Sequence, residues 1–346
     1  MSVETVNTGW QDVLIAQGMA SGALAGDTQM AAWVEEWAEH HAPIEPNCEG
    51  DWSVLASGRA YRGVRLSDYA CDWGIPLVLV PLFLATGDNA YKERATVVCD
   101  HILSGGIRIA DEGIAAGGIV KGDAAALVRE RLWVDTLYYT SSPLAQTYQI
   151  TGERRFAEEA IRQCLVHARY LQDPASGLFF HDAIPEKAVR PGFSWSRGNG
   201  WVILSLLDTL RYCPGDMEGR DAVLQIYVRL SSALLRLQHP CGLWRIVPED
   251  EESHLETSGT AMILLGLLRG VEAGYLEKDA LARVRRGLYE LCTWIRPNGS
   301  LGGAQRPAGL GGWETHKLSD LGECTYASGI FLSLLVEAAQ SKALAS

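Results

Sequence analysis

The sequence predicts an all-α fold, a closed α/α toroid of helical hairpins, on three observations. The first is a punctuation. Ala25-Gly26-Asp27, Thr86-Gly87-Asp88, Thr151-Gly152-Glu153, Pro214-Gly215-Asp216 and Ala273-Gly274-Tyr275 place their glycines 61, 65, 63 and 59 residues apart. A period of this size marks a repeated unit, and glycine followed by an acid suits one helix ending and the next beginning. The second is an alternation. Helices before the glycines are apolar almost all round, as in Val202-Ile203-Leu204-Ser205-Leu206-Leu207, whereas those after them are amphipathic. The third is an asymmetry of connections: two to four residues inside each hairpin, against long returns at 42–70, 105–133, 173–197, 240–256 and 297–324.

Taken in order, five helix pairs are expected to begin near residues 9, 71, 134, 198 and 257. In each, the first helix is buried on most sides and forms an inner ring. The second is half solvated: Phe156, Ala160, Ile161, Cys164, Leu165, Ala168 and Leu171 share one face, with Arg154, Arg155, Glu158, Glu159 and Arg162 on the other. A last apolar run, Ile330-Phe331-Leu332-Ser333-Leu334-Leu335, supplies a sixth inner helix without room for a full sixth outer one. An open solenoid is the alternative, but it needs polar capping repeats that the ends do not show. Residues 1–346 are read as one domain, with strands confined to short hairpins in loops.

Composition narrows the function. The 346 residues are 47% hydrophobic and 21% charged, ample for a core and without a disordered signature. A net charge of -12 argues against nucleic-acid binding. The eight cysteines lie at least 23 positions apart, so no zinc pair or redox motif is present; with no signal-like N-terminus and no 18-residue apolar stretch, a cytoplasmic protein with no membrane partner is expected. No metal-binding motif, phosphate loop or nucleophile elbow occurs, and no metal or cofactor is expected.

Every long return delivers the chain to the start of an inner helix, so in a closed ring all returns gather at one mouth, where helix N-termini favour an anion. The densest stretch is Trp195-Ser196-Arg197-Gly198-Asn199-Gly200-Trp201. Its tryptophans offer faces on which sugar rings stack, and Arg197 offers a fork of donors for a carboxylate. Asp72, Asp135, Asn199, Glu256 and Glu323, with Tyr326, also fall at inner-helix starts. For any one of these acids an N-cap role is the commoner use. Asp135 stands apart because Trp133, Val134, Leu137 and Tyr138 surround it in sequence, a setting that raises a carboxyl pKa towards general-acid use. His181, in the return before Trp195, is a candidate proton donor or hydroxyl partner. Trp73, Trp244 and Trp313 lie in or beside returns, and Glu249 to Glu252 reads as a solvated tip.

Trp133-Val134-Asp135-Thr136-Leu137-Tyr138, the Trp195-to-Trp201 stretch and Glu256-Thr257-Ser258-Gly259-Thr260-Ala261-Met262 together resemble the unsaturated rhamnogalacturonyl hydrolases of glycoside hydrolase family 105 and the related unsaturated glucuronyl hydrolases of family 88. The resemblance runs from about residue 70 to the end. It implies a six-hairpin (α/α)6 barrel that removes a 4,5-unsaturated uronic acid from the non-reducing end of lyase-generated oligosaccharides, pectin-type fragments being favoured. It also implies that Asp135 is the general acid and base, that Asp72 is a second acid near the double bond, and that His181, Trp195, Arg197 and Trp201 contact the substrate. Asn199, Trp133 and Glu256 are further substrate-binding candidates. The family usually has alanine where Ser196 stands, and the surroundings of Asp72 match its pattern only loosely. The rivals are another toroid enzyme (a two-carboxylate glycosidase or a sugar epimerase) and a non-catalytic carbohydrate-binding repeat protein. The expected partner is the oligosaccharide, with the chain a monomer or homodimer.

Overall fold

A helix with little polar interruption buries most of its sides, as Pro76–Thr86 and Thr257–Glu272 do, and helices of this kind line the inside of the fold. The computed structural model describes residues 2–6, 9–41, 59–61, 64–66, 69–116, 129–190, 192–307 and 316–345. Within these, the inner helices are α1 (Val13–Leu24), α3 (Pro76–Thr86), α5 (Val134–Thr151), α7 (Ser196–Tyr212), α9 (Thr257–Glu272) and α11 (Thr325–Gln340). Each is followed by an outer helix: α2 (Thr28–His41), α4 (Asn89–Gly105), α6 (Arg154–Leu171), α8 (Arg220–Leu237), α10 (Ala280–Thr293) and the one-turn α12 (Lys342–Ala345). Every inner helix packs on the next, and α11 packs back on α1, so the ring is closed. The architecture is the expected all-α toroid.

Closure without a full sixth outer helix depends on bare backbone. A Cβ on Gly18 would lie 2.6 Å from the Gly329 carbonyl oxygen, and one on Gly329 would lie 2.2 Å from that of Leu14, both too close for any side chain. The seam is fastened by a Ser21–Ser333 hydroxyl contact at 3.3 Å and a Thr325 Oγ1 to Asp12 Oδ1 bond of 3.2 Å.

The hairpin turns follow the punctuation in part. Gly87 and Gly152 adopt left-handed conformations and donate to Phe83 and Tyr148, ending α3 and α5. Asp88 then caps α4 through the Ala90 amide, and Asp27 caps α2. Gly215 does not behave this way: α7 ends on extended Cys213, and the turns at 213–219 and 273–279 are seven residues each, longer than expected. Pro214 explains the first, since it cannot continue a helix.

The strands in the described parts of the returns form five small two-stranded antiparallel pairs. These are β1 (Arg59–Tyr61) with β2 (Val64–Leu66), β3 (Arg108–Ile109) with β4 (Gly113–Ile114), β5 (Leu132–Trp133) with β6 (Asp182–Ala183), β7 (Trp244–Arg245) with β8 (Leu255–Glu256), and β9 (Ala304–Gln305) with β10 (Leu321–Gly322). Four of them each lie within a single return, and one, β5 with β6, joins two successive returns. The lumen is filled by an aromatic layer: Tyr138, Tyr139 and Trp201 meet with ring centroids 5.1 to 5.5 Å apart, all fully buried. Burying each such side chain contributes on the order of 2–3 kcal/mol. Trp73 and Trp244 are core residues as well, Trp244 donating to the Leu234 carbonyl. Cys48 and Trp313 lie outside the described residues, and the described cysteines are unpaired thiols.

Burial also sets an acid sensitivity. His167 on α6 is fully buried, and burial pushes its pKa down to about 4. A folded pKa below the ordinary value of about 6.5 means that the stability is present above that value and is lost as pH falls towards 4. The melting temperature is expected to fall across that window, and less so in His167→Gln; parallel curves for the two proteins would remove His167 as the cause.

Candidate active site

Asp135 lies in the first turn of α5, directly after β5, and the register of β5 on β6 pairs Trp133 with Asp182. The Val134 amide donates to the His181 carbonyl, which brings the imidazole alongside the carboxylate: His181 Nε2 and Asp135 Oδ2 are 3.7 Å apart, longer than a hydrogen bond. Burial raises the Asp135 pKa; His181 when protonated, the Arg197 charge and the Trp201 indole beside the carboxyl lower it, without reversing the shift. The same burial drives His181 down to about 4, so at neutral pH it is an uncharged imidazole. Its ring is walled by Trp195 (4.9 Å), Trp133 (5.8 Å), Phe193 and His316.

Asp72 closes a short 3-10 turn, Ala70–Asp72, that packs on α5, and it accepts from the Trp10 amide at 3.2 Å. Asp72 and Asp135 act together on Cys71, Tyr69 and Tyr139, raising the pKa of each below burial in importance, so the structure brings the two acids to one place.

Arg197 is 2% exposed, in the first turn of α7, with its guanidinium over the Trp195 ring at 4.3 Å and the Tyr326 ring at 5.1 Å. Nη1 donates to neutral oxygens, those of Gln305 at 2.9 and 3.2 Å and of Tyr326 at 2.9 Å. It forms no ion pair with any described carboxylate, and its Nε has no hydrogen-bond partner among the described residues. Asp135 Oδ2 and the indole nitrogens of Trp133 and Trp201 are likewise buried without a well-formed hydrogen bond among the described residues, although the Trp201 indole lies beside the Asp135 carboxyl. Native proteins leave few buried polar atoms unsatisfied, and here a buried acid oxygen shares one end of the ring with three buried donors, those of Arg197, Trp133 and Trp201, that are not fully bonded.

Three expected binding residues have other roles in the geometry. Glu256 is fully buried and caps α9, accepting from the Ser258 and Gly259 amides and the Ser196 and Ser258 hydroxyls, so it has no surface for a substrate. Asn199, also fully buried, exchanges bonds with the Phe179 backbone and donates to the Trp195 carbonyl; it ties the His181 loop to α7. Trp201 belongs to the aromatic layer beneath Asp135 and presents no face on which a sugar could stack. Trp195 is 4% exposed and holds Gln305 through its indole N–H at 2.7 Å. The Glu249 to Glu252 tip is exposed as expected, but it is also pinned, Glu249 by Ser194 and the Asp250 and Glu252 carboxylates by Lys317. Glu323 is exposed and bonds Ser300 and Asn298, away from this network.

Gln305 and His316 are the mouth residues that the sequence did not point to. Both lie in the last return, where no apolar period or cap pattern singles out a residue. No group of three or more His, Cys, Asp or Glu among the described residues could hold a metal ion. At the opposite end of the ring a cavity of about 490 Å³ is lined in part by Gln17, Gln146, Arg211, Arg269, Glu272 and Glu337. There Arg269 pairs with Asp208 and Glu337, so its charge is satisfied internally, in contrast to Arg197.

The family model described as Glycosyl Hydrolase Family 88 matches residues 3–342. The chain belongs to this family. It is 30% identical over 223 residues to the unsaturated rhamnogalacturonyl hydrolase YesR of Bacillus subtilis, covering 60% of this chain and 61% of that protein. It is also 30% identical over 150 residues to an unsaturated 3S-rhamnoglycuronyl hydrolase of Alteromonas, covering 42% of this chain and 36% of that one. The chain thus matches less than two thirds of the length of each of these relatives. Among solved structures, a possible family 105 member from Klebsiella pneumoniae superposes with a TM-score of 0.80 at 22% identity, over 96% of this chain and 82% of that one. The unsaturated glucuronyl hydrolase of Bacillus sp. GL1 does so with 0.67 at 18% identity, over 98% and 88%. These likenesses establish the shared fold. No helix among the described residues is long and apolar enough to cross a membrane.

Proposed function

We propose that this family 88 chain removes a 4,5-unsaturated uronic acid from the non-reducing end of oligosaccharides released by polysaccharide lyases, with pectin-type fragments as the favoured substrates. The observation that carries the reading is a raised-pKa acid, Asp135, near buried polar atoms with incomplete bonding and an arginine that forms no ion pair with a described carboxylate. An anionic ring with several hydroxyls would supply what is missing: a carboxylate for the Arg197 fork and acceptors for the indole donors. The relatives whose names describe unsaturated rhamnogalacturonyl and rhamnoglycuronyl hydrolases support the substrate class.

In this mechanism the Asp135 carboxyl gives its proton to C4 of the enol ether, and the resulting positive charge is shared between C5 and the ring oxygen. Water adds at C5 and returns a proton to the Asp135 carboxylate, leaving a hemiketal that opens and releases the adjoining sugar. One molecule of water is consumed and the acid is regenerated. Neutral His181 orients the water or a ring hydroxyl, and Asp72 is the second acid near the double bond. This route uses no glycosyl-enzyme intermediate, unlike retaining glycosidases.

The experiment is to follow loss of the enol-ether ultraviolet band across a panel of lyase products, with product analysis in heavy water. Deuterium at C4 is expected. Band loss without deuterium there would exclude the hydration route, and no band loss on any product would exclude the substrate class. Arg197→Ala is expected to lower kcat/KM by roughly ten- to a hundredfold, the worth of a charge-assisted hydrogen bond kept into the transition state. An unchanged value on a turned-over substrate would leave Arg197 a purely structural residue.

A further inference from the structure

Gln305 is fully buried in β9; its backbone N–H points to the Glu256 carboxylate at 3.5 Å, and each of its other polar atoms has a named partner. Its side-chain oxygen accepts from the Trp195 indole at 2.7 Å and from Arg197 Nη1 at 3.2 Å; its side-chain nitrogen donates to Ser319 Oγ at 3.1 Å. Its backbone carbonyl accepts from Arg197 Nη1 at 2.9 Å and from the Tyr326 hydroxyl. Because both neighbours of the side-chain oxygen are obligate donors, the orientation of this amide is fixed by chemistry. One residue therefore holds Trp195 and Arg197 in mutual register.

Proteins usually hold a buried guanidinium with a carboxylate, since a buried charge left unpaired is costly. Here the acceptors within reach are neutral: the two Gln305 oxygens, the Tyr326 hydroxyl and, at 3.5 Å, Ser258 Oγ. A glutamate at this position would have the same shape and could accept the same two bonds, and Ser319 could turn to donate. What it would change is charge. We propose that Gln305 is a positioning and specificity residue: it fixes Arg197 and Trp195 with a neutral acceptor, so that the positive charge of Arg197 is kept for the carboxylate of the ligand. This rests on the uronate reading above, and it adds the residue that sets the charge selectivity of that site.

Two readouts on Gln305→Glu separate this proposal from the substrate reading. The first needs no ligand. The new carboxylate would bond Arg197 directly; the Glu256 carboxylate beside the Gln305 backbone amide opposes it but is already held by two amides and two hydroxyls, and Asp135 shares the Arg197 charge only at longer range. With the direct contact dominant, the folded pKa of the new group is expected below the ordinary glutamate value of about 4.3; the added stability is present above that value and lost as pH falls through the folded pKa. The melting temperature relative to wild type is therefore expected to be higher at pH 7 than at pH 3. The second is calorimetric titration with D-galacturonate and with its uncharged methyl ester. At pH 7 the substitution is expected to weaken galacturonate binding by roughly ten- to a hundredfold and to leave the ester unchanged. On a turned-over lyase product the same change should appear in KM, with kcat nearly kept.

Gln305→Met, which keeps the length and removes the acceptor, is expected to weaken both ligands, because Arg197 and Trp195 lose their common anchor. Equal galacturonate affinity in wild type and Gln305→Glu, an equal loss for the ester, or a relative melting temperature that is lower at pH 7 than at pH 3 would each overturn the proposal. If wild type binds neither ligand while the pH-dependent stabilisation is seen, the uronate reading fails and the neutral clamp on Arg197 is upheld.

Discussion

Asp135→Asn is expected to lower turnover by roughly a thousandfold or more while leaving the fold intact and slightly more stable at neutral pH. The kinetic half follows because one carboxyl serves as both acid and base in the proposed route, and general acid-base work contributes about 10² to 10⁴-fold. The stability half follows from linkage. Burial raises the Asp135 pKa above the ordinary carboxyl value, so the stability tied to its protonated form is complete below that ordinary value and is lost as pH rises through the raised one. Asparagine does not ionise; its advantage over wild type should be greatest near pH 7 and vanish near pH 3. Melting curves at the two pH values, with turnover by absorbance loss, test both halves. Near wild-type turnover would take Asp135 out of the chemistry, and a mutant less stable than wild type at pH 7 would refute the burial account of its pKa.

Gly329→Ala is expected to cost about 3 kcal/mol or more of stability and to reduce activity as well. Its Cβ would lie 2.2 Å from the Leu14 carbonyl oxygen, a backbone atom that cannot swing aside, so α11 and α1 must separate. Overpacking of that kind costs about 1–3 kcal/mol even where side chains can shift. The control is Gly87→Ala, where φ is +75° and no neighbouring atom lies within 4 Å; only the left-handed strain of about 1–2 kcal/mol applies. Because Trp10 at the start of α1 packs on Tyr326 and donates to Asp72, spreading the seam should disturb the mouth. Comparable melting temperatures for the two variants would show that the seam is not close-packed.

The ring and its mouth were legible because period and polarity are written into single segments. The apolar run of α3 and the two-faced pattern of α6 leave few alternatives, and Asp135 stood out as an acid in an apolar stretch, the setting that raises its pKa in the fold. Glu256 and Asn199 were misread as ligand contacts because an N-cap and a loop tie use the same residue types as a binding site; what distinguishes them is the number of partners already present. That the Trp201 ring joins the buried aromatic layer, with its indole N–H beside Asp135, is not legible, since sequence does not tell which side of an inner helix faces that layer. Gln305 carried no signal, because its role arises from residues 108 to 110 positions away.

The seam between α1 and α11 ties together residues as far apart as Ser21 and Ser333, separated by 312 positions. During synthesis, then, the groups at the mouth cannot reach their final arrangement until the sixth inner helix has left the ribosome. Arg197 waits for Tyr326, and so does Trp10, which packs on the Tyr326 ring and donates its amide to Asp72. Non-local contacts of this span are slow to form, and until they do the exposed flank of α1 is apolar and unpaired. A nascent chain lacking its last twenty or so residues would therefore hold the chemical groups and show no turnover. On the proposed function, turnover would report completion of the circle, and removal of α11 is expected to act as a site mutation would.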